Sequence, residues 1–302
     1  MTACVTTLIA TSGRARLDRD AVAAAQALLP RGATPRVLSE GRAVDLPFTL
    51  PGDAGDTLQR IAIDVRSAIG TLPVDVVVQP EDGRRKALLI ADMDSTMIGQ
   101  ECIDELAAEL GLKDKIATIT ERAMRGEIDF EPALRERVAL LKGLDASVVD
   151  TVIAERITLT PGGPELVRTM RANGGFTALV SGGFTLFTSV IAERIGFDTT
   201  SANILNVEDG KLAGTVAEPI LGRQAKLDAL RAHAEARGLS LAETMAVGDG
   251  ANDLAMIEAA GMGVAFRAKP AVAAKARAQI HHSDLTALLY MQGYTDSEIV
   301  SA

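Results

Sequence analysis

Along the first eighty residues the apolar positions alternate between a strand rhythm and a helix rhythm. Residues 5–10 form a short apolar run of strand length. Residues 17–29 repeat their apolar side chains at helical spacing, with Asp18 and Asp20 at the end where the helix dipole favours acids. Residues 36–38 and 43–50 read as two strands around a Glu40-Gly41 turn. Leu58, Ile61, Ile63, Val65 and Ile69 then mark a second helix, stopped by Gly70, and residues 74–78 supply a last strand before Pro80. The order βαββαβ predicts a ferredoxin-like α+β sandwich over residues 1–82. The polar run 80–85 reads as a linker.

Beyond it the pattern changes. Residues 87–91, 176–180, 244–247 and 263–266 are apolar runs of strand length, separated by helical periodicity. That is the signature of a parallel sheet covered on both faces. Between the first two runs lies a helix-rich stretch, about residues 100–158, which is longer than one crossover needs and reads as an inserted helical cap. Residues 204–216, with Asp209-Gly210 at their centre, read as a β-hairpin. The predicted fold class is α/β: a Rossmann-like parallel sheet with a helical cap over residues 83–302, preceded by the smaller sandwich.

Composition narrows the function. Of 302 residues, 47% are hydrophobic and 24% charged, which excludes disorder as the main state. Aromatics are 3% and Trp is absent, so a stacking platform for single-stranded nucleic acid is not expected. The 31 basic and 40 acidic residues leave a net charge of −9, which repels duplexes and anionic membranes. No apolar run approaches the ~18 residues that span a bilayer. No basic segment precedes the apolar stretch at the N-terminus, so a cytoplasmic protein without nucleic-acid or membrane partners is expected. Cys4 and Cys102 lie far apart and suggest neither a disulfide framework nor a zinc site. Cys102 reads as a small buried residue rather than a reactive thiol.

The chemistry sits in local constellations. In Leu88-Leu89-Ile90-Ala91-Asp92-Met93-Asp94-Ser95-Thr96, a buried strand delivers two acids, one residue apart, to the edge where open α/β sheets bind ligands. One carboxylate there can attack phosphorus while the other trades a proton with the leaving oxygen. The plainer alternative is a strand end capped by acids, with Asp94 as a helix N-cap. Met245-Ala246-Val247-Gly248-Asp249-Gly250-Ala251-Asn252-Asp253 again carries acids out of an apolar strand, and such oxygen clusters suit Mg²⁺. Its alternative is a glycine-flanked turn that binds nothing. Ser181-Gly182-Gly183, read as a strand end opening a helix, offers backbone N–H groups and a hydroxyl to a phosphate. Neither G-x-G-x-x-G nor a Walker lysine motif is present, which argues against a dinucleotide or P-loop site. Lys226 would balance the acids; a solvated helical lysine, or Arg223 in its place, is the alternative. On the cap, Phe130, Leu134, Arg137 and Leu141 share one helical stripe, so a guanidinium lies in an apolar face. It would take a substrate carboxylate, pair with a cap acid or reach solvent.

In this order Asp92-x-Asp94-x-Thr96, Ser181, Lys226 and Gly248-Asp249-Gly250-x-Asn252-Asp253 resemble the four motifs of the haloacid dehalogenase-type phosphatases, over roughly residues 86–290, and most closely their phosphoserine phosphatases. The resemblance implies Asp92 as a nucleophile that becomes an aspartyl phosphate and Asp94 as general acid/base. It also implies Mg²⁺ on Asp92, the Asp94 backbone carbonyl and Asp249, with Asn252 and Asp253 in support. Glu101, Met124, Phe130 and Arg137 match the substrate pocket of those phosphatases, with Glu101 placed for an ammonium and O-phosphoserine as the implied substrate. The lysine segment, Leu221-Gly222-Arg223-Gln224-Ala225-Lys226, departs from the pattern, which has an acid nearer the lysine. The N-terminal unit resembles ACT-type regulatory domains by topology alone, implying an amino-acid effector or homodimerisation. Competing expectations are transfer of the phosphoryl group to another alcohol, a different small phosphomonoester, and an amino-acid sensor with an inert catalytic unit.

Overall fold

A computed structural model of the chain describes residues 1–11, 16–52, 55–124 and 127–301, without the side chains of Ala123 and Met124. Strands β1 (Thr2–Ala10), β2 (Arg36–Ser39), β3 (Ala43–Leu50) and β4 (Val74–Pro80) make an antiparallel sheet in the order β2-β3-β1-β4. Helices α1 (Arg19–Ala27) and α2 (Gly55–Ile69) connect them in the βαββαβ order. The first helix starts later than its apolar period because the Asp18 carboxylate accepts the Ala21 N–H at 2.8 Å and caps it there.

Strand alternation sends the two faces of this sheet to different partners. Cys4, Leu8, Ala10, Leu46 and Val76 pack with Ala25, Ile61 and Val65 of the helices. Ile9, Leu38, Ala43 and Val77 face the other way and join the core of the larger unit. Polar groups stitch that second contact. Asp75 accepts the backbone N–H groups of His281, His282 and Ser283 at 2.8, 3.1 and 2.8 Å. Gln79 donates to the Met291 carbonyl at 2.6 Å, and Arg42 pairs with Asp284 at 2.8 Å.

The segment expected to be an open linker differs. β4 runs through Pro80, the Glu81 N–H donates to the Ala3 carbonyl, Arg84 pairs with Asp45 at 2.7 Å and Arg85 with Glu298 at 2.6 Å. Asp45 is wholly buried, and a buried carboxylate needs a cation beside it.

The larger unit is a six-stranded parallel sheet. After β5 (Leu88–Ala91) come α3 (Cys102–Glu109), α4 (Lys113–Met124), α5 (Phe130–Ala139) and α6 (Val148–Glu155), then α7 (Gly163–Ala172), β6 (Phe176–Phe184), α8 (Thr185–Ile195) and β7 (Thr199–Asn203). The hairpin β8 (Leu205–Glu208) and β9 (Lys211–Val216), α9 (Arg223–Glu235), β10 (Thr244–Gly248), α10 (Leu254–Ala259), β11 (Met262–Phe266) and, later, β12 (Ala278–Ile280) complete it. The strand order is β12-β11-β10-β5-β6-β7, so the order reverses between β5 and β10. A crevice opens at the carboxyl ends of such a pair.

Helices α3 to α6 are the inserted layer. The two chain segments that join it to the sheet are bonded to each other: Gly99 N–H donates to the Thr158 carbonyl and Thr160 N–H to the Met97 carbonyl, both at 3.0 Å. The β8–β9 hairpin turns at Asp209 (φ 50°) and Gly210 (φ 77°), the two left-handed positions that Asp-Gly supplies. It touches the inserted layer through Gly143 N–H to the Leu212 carbonyl and Leu212 N–H to the Leu144 carbonyl, both at 2.8 Å. Among the described residues no helix is long and apolar enough to cross a membrane.

Candidate active site

The apolar strands β5 and β10 end side by side, and each hands its next residue, Asp92 and Asp249, to the crevice. The Asp92 N–H donates to the Val247 carbonyl at 3.0 Å, which fixes the acid against β10. Beyond Asp92 the chain makes a wide turn closed by the Ile98 N–H on the Met93 carbonyl at 3.0 Å. Within that turn Asp94 is extended (φ −64°, ψ 136°) and Ser95 is left-handed (φ 55°). The non-helical turn holds the Asp92 and Asp94 side chains near one centre rather than spreading them round a helix.

Lys226 comes from the first turns of α9 and is 2% exposed. Its ammonium lies 2.7 Å from Asp92 Oδ1 and 2.6 Å from Asp253 Oδ1. Burial alone would lower its pKa, but Asp253 and Asp92 outweigh burial and hold it above the ordinary lysine range. The acid that the sequence pattern lacks near this lysine is therefore supplied through space, while Gln224 bonds Asp228 instead. Arg223 is exposed. Asp253 is itself wholly buried, and its other oxygen accepts the Gly250 N–H at 3.0 Å. A Cβ on Gly248 would lie 2.3 Å from the Asp253 carboxyl carbon, so only glycine lets β10 end against this side chain.

Asp92, Asp249 and Asp253 each offer an oxygen within 4.8 Å of the other two. Three carboxylates against one ammonium leave negative charge uncompensated. Burial first, then Asp253, lifts the Asp92 pKa well above the carboxylate range; burial, Asp253 and Glu101 push Asp249 up to about 6. Hard oxygen donors with excess negative charge fit Mg²⁺. Asp253, read from sequence as a supporting residue, joins the cluster. The Asp94 carboxylate stands outside it.

Asp94 does two things at once. One oxygen accepts the Cys102 N–H at 3.0 Å and so serves the first turn of α3 from a distance; the N-cap position itself is Glu101, so Asp94 is not the helix N-cap of the plainer sequence alternative. The other lies 2.8 Å from where a Cβ of Gly183 would stand, facing the loop beside Ser181. Burial, then Glu101, pushes its pKa up to about 7, so near neutral pH it holds a proton to give. Glu101, although it occupies the N-cap position of α3, makes no capping bond with its side chain. It instead accepts the Ser95 hydroxyl at 2.6 Å. The surrounding protein raises its pKa, chiefly by desolvation, even though the residue is exposed as a whole. Cys102 is buried and burial pushes its thiol above the ordinary range, which agrees with a packing role.

Ser181 and Gly182 sit on β6 itself, not at a helix start; the next helix begins at Thr185. The register between β6 and β7 breaks between Val180 and Phe184, and that irregularity turns the Ser-Gly-Gly backbone toward the crevice. The Gly183 N–H donates to Ser181 Oγ at 2.8 Å. Thr96 reaches Asp249 Oδ1 at 3.4 Å, and the Asn252 side chain folds over Gly250.

From the inserted layer, Phe130 leans on the sheet edge. A Cβ on either Gly182 or Gly222 would stand 3.4 Å from its ring. Arg137 is half-buried on the same helix, as its stripe predicts, and donates to Thr120 Oγ1 at 3.3 Å. Among the described residues it makes no ion pair with a carboxylate. Burial lowers its pKa against the raising influence of Glu101, Asp104 and Asp94. Met124 ends α4, and its side chain lies outside the described residues. Sequence reasoning missed Ser95 and Asn203. Ser95 lies in an irregular turn and Asn203 at the last position of a strand, and each acts through one hydrogen-bonding side chain that no period marks.

The haloacid dehalogenase-like hydrolase family matches residues 89–258. This chain belongs to that family. The hydrolase is 46% identical over 244 residues to a phosphoserine phosphatase of Streptomyces coelicolor, covering 79% of this chain and 59% of that one. Of that relative, then, it spans less than two thirds. It is 42% identical over 248 residues to a probable phosphoserine phosphatase of Schizosaccharomyces pombe, covering 82% and 81% of the two chains. A HAD-family hydrolase from Salmonella enterica serovar Typhi superposes on it with a TM-score of 0.84 at 29% identity, over 96% of this chain and 98% of the other.

Proposed function

We propose that this hydrolase is a Mg²⁺-dependent phosphoric monoester hydrolase that converts O-phospho-L-serine and water into L-serine and phosphate. The observation that carries the reading is that two chemically different groupings flank Asp94, which feels the charges of both Lys226 and Arg137. On one side an ammonium is buried among carboxylates; on the other, Arg137, which among the described residues forms no ion pair with a carboxylate, stands near Glu101. A phosphoryl group suits the first side. A zwitterion, with a carboxylate for the guanidinium and an ammonium for Glu101, suits the second. The names of the Streptomyces and Schizosaccharomyces relatives support the same substrate.

Asp92 attacks phosphorus in line, the bond from phosphorus to the serine oxygen breaks, and Asp94 gives that oxygen its proton. Asp94 then takes a proton from a water whose oxygen attacks the aspartyl phosphate, releasing phosphate and restoring Asp92. Lys226, the Ser181 hydroxyl and the Gly182 N–H hold the phosphoryl oxygens, so catalysis is chiefly positioning and charge stabilisation. Asp92, the Asp94 carbonyl and Asp249 would hold Mg²⁺, which supplies further positive charge to the phosphoryl group; Asn252 and Asp253 support them. Phe130 closes the inserted layer over the site and excludes bulk water; Met124 belongs to the substrate pocket by the resemblance alone.

The remaining assignments belong to the same reading. Residues 1–82 form an ACT-type unit that binds an amino-acid effector or mediates homodimerisation, residues 83–302 the phosphatase, and about residues 100–158 its cap. The cellular role is the last step of serine biosynthesis in the cytoplasm.

The test is phosphate release from a panel of phosphate esters with and without Mg²⁺. Phosphoserine should be the preferred substrate, and phosphate released from other esters but not from phosphoserine overturns the assignment. Including alcohols in the assay separates hydrolysis from transfer. Asp92→Asn should lower kcat by roughly a thousandfold or more, and retained turnover rejects it as nucleophile. Amino-acid titration of a Glu101→Gln, Arg137→Ala variant, whose catalytic pocket no longer suits an amino acid, reports on an effector site in the N-terminal unit.

A further inference from the structure

The two groups proposed to hold the phosphoryl oxygens from the far side of the cluster, the Ser181-Gly182 backbone and Lys226, lie on separate stretches of chain. One is the irregular end of β6, closing at Phe184, and the other is the start of α9, at Arg223. No regular ladder joins them. What joins them is Asn203, the last residue of β7, at 2% exposure. Its amide nitrogen donates to the Gly182 carbonyl at 2.8 Å and to the Leu221 carbonyl at 3.2 Å. Its amide oxygen accepts the Leu221 N–H at 2.7 Å. Both amide protons and one oxygen lone pair are therefore used on two backbone segments.

The residue after the second segment is Gly222, which immediately precedes α9, and Phe130 of the cap rests on Gly182 and Gly222 together. One side chain thus fixes the spacing of the phosphate-facing backbone, the root of the Lys226 helix and the seat of the cap ring. Serine, threonine or an apolar side chain at this place could not give two donors and one acceptor in one plane.

We propose that Asn203 is a positioning residue for phosphoryl binding: it ties the Gly182 carbonyl to the Leu221 carbonyl and N–H, and so holds the Gly182 backbone, with its N–H, and the root of the Lys226 helix at the spacing a phosphoryl group requires. It touches no reacting atom. This deepens the phosphatase reading and rests on it for the identity of the bound group.

The experiment compares the full-length wild-type protein with Asn203→Leu, which keeps similar volume without hydrogen bonds, and Asn203→Asp, which keeps the acceptor and loses the donors. Calorimetry with orthovanadate in the presence of Mg²⁺ reads the phosphoryl end directly, and phosphoserine kinetics read kcat and KM. Asn203→Leu is expected to weaken vanadate binding and lower kcat by roughly tenfold or more, with KM changed much less, because the amino-acid end is untouched. Asn203→Asp, which sets a carboxylate oxygen against the two carbonyls that the amide nitrogen serves, should be impaired at least as much as Asn203→Leu, and it serves alone if the Leu variant does not fold. A folded variant with lowered Tm but vanadate affinity and kcat within about twofold of wild type overturns the proposal, since that is what a merely structural side chain gives. If wild type binds vanadate but releases no phosphate from phosphoserine, the substrate assignment fails while the vanadate comparison still decides the role of Asn203.

Discussion

At the scale of single residues, the site works by giving like side chains unlike surroundings. Asp92 shares an oxygen with Lys226, whereas Asp94 faces a helix N-terminus and the loop beside Ser181. Its pKa of about 7 makes it the protonated partner at and below neutrality. The rate of alcohol release in a single turnover should therefore fall as pH rises above about 7, approaching tenfold per pH unit once Asp94 is mostly ionised. Asp94→Asn should abolish that limb together with most of the rate, and an unchanged limb in the variant would assign it to another group. Stopped-flow measurement of serine or alcohol release checks it. The acids at 92, 94, 249 and 253 were legible in the chain because each follows an apolar strand. Ser95 and Asn203 were not legible, since a single polar residue in a turn or at a strand end looks like any other.

At the scale of elements, the site depends on where strands stop. β5 and β10 run in register, Ala91 opposite Val247, with β10 one residue longer, so Asp92 and Asp249 each follow a strand end at the same edge without any search by flexible loops. β6 instead runs on through Ser181 and Gly182, which sequence reading placed at a helix start. Small residues are compatible with both, and only pairing with β7 and its broken register decides between them. The close of β10 against Asp253 is rigid on both sides. Gly248→Ala should cost about 1–3 kcal/mol from overpacking and lower activity sharply, because the displaced Asp253 carries Lys226 with it. Urea denaturation and phosphate release measure the two effects, and a fully active, fully stable variant would show that the contact yields freely.

At the scale of the whole molecule, two terms couple the parts. The first is charge. Asp92, Asp94 and Asp249 all titrate above an ordinary aspartate, so the folded, metal-free protein binds more protons than the unfolded chain. The stability these three groups contribute is accordingly fullest near pH 4 and below, and is lost as pH rises through about 6 to 7. A divalent cation that binds only the folded state should reverse this. Removing Mg²⁺ with a chelator at pH 8 should lower Tm, by more than the same treatment at pH 5, as differential scanning fluorimetry would show. The second term is the seam between units. Asp75 serves three backbone donors at 281–283, so Asp75→Ala leaves them unpaired and should cost roughly 3 kcal/mol. Faster proteolytic cutting within residues 80–86, with phosphate release retained, is the expected sign.

What the sequence determined by itself is what local physics can encode. Apolar runs of four to six residues specify the strands, the 3.6-residue stripe puts Arg137 on the inner face of α5, and Asp-Gly makes the β8–β9 turn. The ordered acidic motifs, each at a strand end, gave the family. Tertiary structure alone decided which groups pair across distance. Lys226 finds Asp253, Asn203 finds Gly182 and Leu221, and the apparent linker is stapled by Arg84 to a buried Asp45. The physical reason is that a buried charge or amide must be satisfied by whatever the fold brings within about 3 Å, and nothing in the order of residues states that distance.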